Sequence, residues 1–288
     1  MTDQGGAAAG LFITFEGGDG AGKTTQLDRV REWFETHGHR VLVTREPGGT
    51  ELGTDLRRLI QHGPEDVDAR TEALLYAADR AYHVATVVRP ALAAGTIVLG
   101  DRYIDSSLAY QGAARDLGVE EIRSLSLWAT QGLQPDLTFL LDLPPDVGAR
   151  RDTGEPDRIE RESTDFHERV RHEYLHLAEE YPTRIVVIDG VGTPEQVFAE
   201  IQGVLEERLP ALLGEGAQDG ASVGADARRG PSGSGSSGSG SSEQGAPAPE
   251  TVSTAGSGSA PQHTRTEGLT VLTEAQAALW GEPGDTLL

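Results

Sequence analysis

The chain has 288 residues, with 37 glycines, only 5% aromatics and no cysteine. Its formal charge is −22; residues 215–288 hold nine acids against three arginines, which leaves −16 on the first 214 residues. This composition excludes disulfides and thiolate chemistry and argues against a nucleic-acid binder, which needs clustered Lys and Arg. It leaves room for one small anionic ligand, whose site is a local field and not a net charge. No apolar run approaches the ~18 residues of a membrane span, and residues 1–10 lack the basic and apolar regions of a secretory signal. The expectation is a cytoplasmic protein with no membrane partner.

In chain order, residues 11–16 read as a short buried strand running into a glycine cluster. Residues 23–37 place Leu27, Val30 and Phe34 at spacings of three and four, a helical pattern. A second strand at 41–44 and a second helix at 51–61 come next. Residues 71–94 form a long helical stretch with Leu74, Ala78, Ala81, Ala85 and Val88 on one side, and Pro90 either starts a new helix or kinks this one. Strands are expected at 96–100, 137–143 and 184–189. Helices are expected at 105–131, broken by a glycine-bearing turn, at 160–180 and at 194–208. Strands alternating with helices predict an α/β fold, a doubly wound parallel sheet of five strands with helices on both faces.

Beyond residue 213 the periodicity ends, and residues 232–242 are serine and glycine alone. Such a composition makes a flexible linker. The chain therefore divides into a flexible N-terminus (1–10), one folded domain (11–213) and a disordered Gly/Ser-rich tail (214–288). Within the tail, Leu272-Thr273-Glu274-Ala275-Gln276 fits a capping box with an apolar staple. Residues 272–280 read either as a short docking helix or as a fraying apolar fragment, and the second reading is favoured because isolated short helices are marginal.

Gly17-Gly18-Asp19-Gly20-Ala21-Gly22-Lys23-Thr24 satisfies G-x-x-x-x-G-K-[ST], between the first strand and the first helix. Glycines let consecutive N–H groups converge and let a phosphate approach the main chain. The helix adds its unpaired N-terminal donors and the positive end of its dipole. In this motif Lys23 reaches the β- and γ-phosphates of ATP, and the Thr24 hydroxyl ligates Mg²⁺. Of the 24 basic residues, 23 are arginine and Lys23 is the only lysine. Arginine substitutes badly for a compact ammonium inside a tight loop.

A phosphate loop does not by itself separate a kinase from a GTPase or a motor. With a single lysine no Asn-Lys-x-Asp guanine-reading segment is possible, and no glycine-rich switch comes after the third strand. That strand runs instead into Asp101-Arg102-Tyr103. Asp101 sits at the carboxyl end of a parallel strand, where open α/β sheets bind ligands, placed to hold Mg²⁺ or the attacking oxygen. Arg102 can fork onto a second phosphate; a structural Asp101–Arg102 ion pair is the competing reading. His172 and His176, at i,i+4 without the intervening pattern of a zinc helix, read as a solvated face.

Phe15-Glu16 with the phosphate loop, Arg45-Glu46-Pro47-Gly48-Gly49-Thr50, Asp101-Arg102-Tyr103 with Ser106-Ser107-x-Ala109-Tyr110-Gln111, and Asp157-Arg158-Ile159-Glu160 occur in that order. Together they resemble the bacterial thymidylate kinases, P-loop nucleoside monophosphate kinases that phosphorylate dTMP to dTDP with MgATP by in-line transfer, on the way to dTTP. The resemblance covers about residues 11–209. It implies a P-loop NTPase fold with a helical lid, and a homodimer. By the same resemblance Tyr76 stacks on thymine and Arg80, one turn on, hydrogen-bonds its carbonyl oxygen; the bland alternative is a half-buried tyrosine and a surface arginine. Asp19 takes the sugar 3′-OH, Arg102 the acceptor phosphate, and Tyr110 lies beneath the deoxyribose. Ser107 and Gln111 flank the base, and the loop from Arg45 closes over the acceptor.

The phosphate loop has no basic residue at 18–21, so the resemblance moves the arginine that stabilises the transferring group to the lid. The candidates there are Arg151 and then Arg158, with Arg150 beside them; the alternative makes Arg150 and Arg151 solvated helix charges. Two other functions compete, a related deoxynucleotide or nucleoside kinase and a non-catalytic nucleotide-binding module whose tail recruits partners. Cutting the chain after Gly214 is expected to leave folding and activity intact, because a Ser-Gly tract cannot bury enough apolar area to offset its ordering entropy. A truncated protein melting far below the full chain would show instead that the 272–280 segment docks on the body.

Overall fold

β1 (Phe12–Glu16) lies at the centre of a five-stranded parallel sheet in a computed structural model that describes residues 10–151 and 155–213. The strand order is β2 (Val41–Arg45), β3 (Ile97–Asp101), β1, β4 (Leu137–Asp142), β5 (Ile185–Asp189). All five residues of β1 are buried, as expected of a parallel strand covered on both faces. Phe15 stands opposite Asp101 on one side and Phe139 on the other. The loops leaving β1 and β3 therefore emerge side by side at the carboxyl edge of the sheet, where the strand order reverses and ligands bind.

One face of the sheet is covered by α1 (Lys23–Thr36) and α9 (Pro194–Leu212), whose Leu27, Val30, Phe34, Ile201 and Leu205 pack on Phe15, Leu99 and Phe139. The other face is covered by α3 (Ala69–His83), α6 (Val119–Thr130) and α8 (Thr164–Glu180), around Phe12, Tyr103, Leu108 and Leu177. α2 (Glu51–His62), α4 (Arg89–Ala93), α5 (Ile104–Ser107) and α7 (Pro145–Arg151) complete the described α-helices, and Val84–Val88 and Leu108–Ala114 are π-helical. Thr50, Asp68, Ser163 and Thr193 cap α2, α3, α8 and α9 by accepting amide hydrogens, and Thr193 with Gln196 forms a capping box.

The long helix expected at 71–94 is present, in three parts. α3 passes into a π-helical turn at Val84–Val88, where the Arg89 amide donates to the Val84 carbonyl, and then into α4. The wider turn falls just before Pro90, which has no amide and clashes with a regular preceding turn. The expected apolar face is corrected. Leu74 is 58% exposed, Ala78 and Ala85 are exposed, and of the five residues only Val88 is fully buried. The buried side carries Glu72, Ala73, Ala77, Asp79, Arg80 and His83. That face walls a polar site, and buried charge is tolerated there because it is paired, so apolar periodicity points the wrong way.

α7 presses its Gly148 against the phosphate loop: a Cβ on Gly148 would collide with the Asp19 carbonyl oxygen, and one on Gly20 with the Gly148 carbonyl. Residues 1–9, the 152–154 stretch of the lid and the whole 214–288 tail, with its 272–280 segment, lie outside the described residues. Gly148→Ala is expected to force α7 off the loop and lower stability by about 1–3 kcal/mol, the usual range for overpacking. Urea unfolding measures it, and an unchanged midpoint would show that the contact yields freely.

Candidate active site

Gly17, Gly20 and Gly22 of the phosphate loop have φ of 132°, 72° and 91°, values open to glycine at little cost. Gly22 offers α1 no side-chain cap, so the first amides of the helix are left for an anion. Inside the loop the Lys23 ammonium donates to the carbonyls of Gly17 (3.1 Å) and Gly18 (2.8 Å). Burial and the nearby Arg102 cation pull its pKa below the usual lysine range, against the attraction of Asp19, Asp101 and Glu16.

Arg102 directly follows β3 with φ 67°, an uncommon left-handed conformation for a residue with a side chain. Its amide donates to the Phe15 carbonyl at 3.0 Å. Its Nη1 donates to Gly17 O (3.1 Å), Ser106 Oγ (3.1 Å) and Tyr174 OH (3.3 Å), and its Nη2 to the Asp19 carboxylate and Tyr110 OH. Tyr110 places its ring 5.2 Å from this guanidinium and donates its hydroxyl to Asp19 at 3.2 Å. Burial raises the Asp19 pKa, but Arg102 and Lys23 outweigh it and hold the carboxyl below the usual range. The structure thus joins Asp19, Arg102 and Tyr110 in one contact group against the phosphate loop.

Behind them a cavity is lined by Tyr76, Arg80, Ser107, Gln111, Glu46 and Arg57, among others. Arg80 is buried, not a surface charge: Nε donates to Glu46 (2.7 Å), Nη1 to Ser126 Oγ (3.2 Å), and Nη2 to Tyr103 O (3.0 Å) and Ser107 Oγ (3.1 Å). Glu46 also faces His83 Nδ1 at 2.8 Å, and the other ring nitrogen of His83 is 2.6 Å from Thr44 Oγ1. Tyr76 is half-buried, its hydroxyl pKa pushed up by burial and by Glu72. Gln111 donates to Glu72 at 2.9 Å. Arg45 is exposed at the end of β2, whereas Arg57, which sequence reasoning missed, lines the cavity and donates to Pro47 O at 3.1 Å. An arginine on an otherwise ordinary helix gives no motif signal.

Asp101 keeps Oδ1 buried without a hydrogen-bond partner, and Thr24 is exposed on the first turn of α1. No cluster of three His, Asp or Glu able to hold a metal occurs among the described residues. An orphaned carboxylate oxygen and a hydroxyl beside a phosphate loop fit Mg²⁺, a hard cation that takes few protein ligands and completes its shell with phosphate and water.

The lid arginines lie away from the loop. Arg150 pairs with Asp146 at the surface (2.9 Å), and Arg151 donates to the carbonyls of Gly190 (2.8 Å) and Val191 (3.0 Å), between β5 and α9. Arg158 is buried, donating to Ile60 O (3.1 Å) and Glu72 (2.8 Å). Before it, the Asp157 carboxylate accepts the amides of Ile159 and Glu160 and so closes a tight turn.

A parallel sheet with a phosphate loop on its central strand, and beside that loop a cavity lined by Arg57, Arg80 and Arg102, has the architecture of a P-loop phosphotransferase. The family model described as thymidylate kinase matches residues 15–201. The thymidylate kinase of Clavibacter michiganensis subsp. michiganensis is 54% identical over 211 residues, 72% of this chain and 98% of that protein. The thymidylate kinase of Bifidobacterium longum subsp. infantis is 49% identical over 225 residues, covering 75% and 97%. That of Leifsonia xyli subsp. xyli is 54% identical over 204 residues, covering 69% and 96%. The chain belongs to the thymidylate kinase family.

One buried carboxyl makes the site wall sensitive to pH. Asp79 accepts the Gly48 amide at 3.3 Å through Oδ1, while its Oδ2 has no partner. Burial first, and Glu46 second, push its pKa up to about 6 from an ordinary 3.8. A raised carboxyl favours the fold fully below its unfolded pKa, and that contribution is lost as pH rises through the folded value. Asp79→Asn is therefore expected to flatten the fall in melting temperature between about pH 4 and about pH 7, the window set by the unfolded and folded values. A variant with the parent's slope would place the ionisation elsewhere.

Proposed function

We propose that the chain transfers the γ-phosphoryl group of ATP to dTMP, giving dTDP and ADP, in the supply of dTTP. The observation that carries this reading is the double anchoring of Arg102. Its guanidinium bonds the Gly17 carbonyl and the Asp19 carboxylate of the phosphate loop while lining the acceptor cavity. A phosphate held by Arg102 then faces one cradled by the loop, the end-to-end geometry that phosphoryl transfer needs. An oxygen of the dTMP phosphate attacks the γ-phosphorus, the bond to the β,γ-bridging oxygen breaks, and ADP leaves. Lys23 exchanges the loop carbonyls for the β- and γ-phosphate oxygens, and the α1 amides add their partial charges. Thr24 and Asp101 would hold Mg²⁺, which when bound offsets the charge of the phosphate oxygens.

In the acceptor pocket Tyr76 stacks on thymine, and Arg80 donates to its carbonyl oxygen. Tyr110 lies under the deoxyribose, Asp19 accepts from the 3′-OH, and Arg45, Ser107 and Gln111 bound the rest. Glu46 supports the choice of base, since it fixes a cation, not an acceptor, at the pocket's end. On lid closure Arg151 would leave the Gly190 and Val191 carbonyls for the γ-phosphate, with Arg158 as the second candidate. The catalytic body is residues 11–213, acting in the cytoplasm with its nucleotide substrates. No helix among the described residues is long and apolar enough to cross a membrane.

ADP release measured over a panel of nucleoside monophosphates is expected to select dTMP, which separates this reading from a kinase for another acceptor and from a non-catalytic module. Lys23→Ala is expected to reduce turnover by on the order of 10²–10³ or more, the typical loss for an electrostatic stabiliser. Arg102→Ala should raise KM for dTMP and spare that for ATP. The reverse pattern would mean that the two pockets are exchanged.

The assembly is a homodimer on this reading. α3 packs between α2 and α6, and the three helices expose Leu52, Leu59, Leu74, Tyr82 and Trp128, the last at 80%. Large apolar side chains exposed on adjoining helices are the kind of surface that an interface covers. Leu74→Glu is expected to yield monomers by light scattering, and a parent protein that is itself monomeric would overturn the assignment.

A further inference from the structure

Glu16, the last residue of β1, is completely buried, and the phosphoryl transfer proposed above assigns it no role. It nevertheless accepts three hydrogen bonds, from the Tyr103 amide to Oε1 (2.7 Å) and from the hydroxyls of Ser106 (2.6 Å) and Tyr174 (3.0 Å) to Oε2. All three donors belong to the surroundings of Arg102. β1 and β3 part company here: the Phe15 carbonyl takes the Arg102 amide, and in place of a next ladder bond the Glu16 side chain takes the Tyr103 amide. Two successive amides are thus fixed on either side of the left-handed Arg102. The same Ser106 and Tyr174 oxygens accept from Arg102 Nη1 at 3.1 and 3.3 Å.

We infer that Glu16 is a positioning residue for the acceptor phosphate, which aims the Arg102 guanidinium through two hydroxyl relays and one backbone amide. The Ser106 and Tyr174 oxygens also lie 2.8 Å apart, so the two hydroxyls share their protons between Glu16 and each other, and both turn lone pairs to Arg102. The carboxylate polarises both acceptors without touching the guanidinium, whose Nη2 edge turns to Asp19 and Tyr110. A strained backbone persists where its surroundings over-determine it, and a fully satisfied buried network rigidifies the group it holds. The charged groups facing Glu16 are Asp105 of α5, Arg102, Lys23 of α1, and Arg184 ahead of β5, with Tyr174 of α8 beside it. Arg184 is engaged bidentately by Asp105 (2.6 and 2.9 Å), so its charge is spent there. Burial, and then the Asp105 charge, raise the Glu16 pKa to about 7. The network therefore gains its charge as pH rises through about 7 and loses it in acid.

The inference rests on the dTMP-kinase reading, and calorimetry with two probes, dTMP and thymidine, separates the two. Glu16→Gln keeps the shape and removes the charge. Its affinity for dTMP is expected to fall about tenfold or more, the scale of a lost charge-assisted network, while thymidine, which has no phosphate, binds as to the parent. The increase of dTMP KM on acidification through about 7 should shrink in the variant to the part due to the substrate's own phosphate. Equal losses for dTMP and thymidine, or no loss for either, would overturn the positioning role. If Glu16→Gln does not fold, Ser106→Ala and Tyr174→Phe each remove one relay and should weaken dTMP selectively. Unchanged dTMP affinity in both would overturn the inference. A parent protein that binds neither probe would sink the dTMP-kinase reading and, with it, this one.

Discussion

The anchoring of Arg102 to the phosphate loop is the interaction on which the site depends. It joins β3 to the loop after β1, and it is possible only because these strands are neighbours in register, with Phe15 beside Asp101. A guanidinium presents its donors in a fixed plane, and here its two Nη groups alone reach a loop carbonyl, a loop carboxylate, a serine and two tyrosines. The left-handed backbone at Arg102 swings the side chain across the end of β1 and not along β3. Local strain of this sort costs of order 1–3 kcal/mol. The dense contacts on both sides offset it, and the result is a cation held between the phosphate loop and the cavity behind it.

Around and behind the cavity, buried carboxylates are matched by arginines. Glu46, Glu72 and Asp105 are nearly inaccessible, and each is met by arginine: Arg80, Arg158 with Arg115, and Arg184. Removing one member of such a pair is far more damaging than the pair's net contribution suggests, because the survivor is left as an uncompensated buried charge. The pairs also tie distant segments together. Glu72 on α3 receives Arg158 from the lid and Arg115 from the end of the π-helical stretch Leu108–Ala114. The inward turn of Arg158 is a consequence. Its planar fork is already occupied by a carboxylate and the Ile60 carbonyl, so the residue ties the segment ahead of α8 to α2 and α3.

Legibility in the sequence obeys a physical rule. The strands, α1 and the phosphate loop were legible because short-range constraints write them: a buried parallel strand must be apolar, and left-handed φ demands glycine. Lys23 stood out as the only lysine. The buried side of α3 was not legible, since periodicity counts apolar residues and this face buries Glu72, Asp79, Arg80 and His83 against partners 23 to 86 positions away. Glu16 was visible within a motif but without a role, because its three donors come from residues 87, 90 and 158 positions later. Arg45 and Arg57 illustrate the same limit. The loop motif singles out the first, yet the turn of α2 brings the second to the cavity.

The single lysine now has a structural reason. Elsewhere the chain uses arginine as a fork: Arg171 grips Asp142 at 2.7 and 2.8 Å, and Arg184 grips Asp105 with two nitrogens. A fork needs a planar partner and space beside it. At position 23 the side chain must thread a loop whose Gly17 is so close to β4 that a Cβ would come within 2.5 Å of the Leu141 carbonyl. Its partners there are two carbonyl oxygens in succession, with the Arg102 cation already nearby. A compact ammonium with three freely rotating donors fits that space and can be handed from carbonyl to phosphate without reorienting a plane. The loop therefore rejects the residue that the rest of the chain prefers, whereas position 102, with a carboxylate, a carbonyl and three hydroxyls within reach of one planar group, takes arginine.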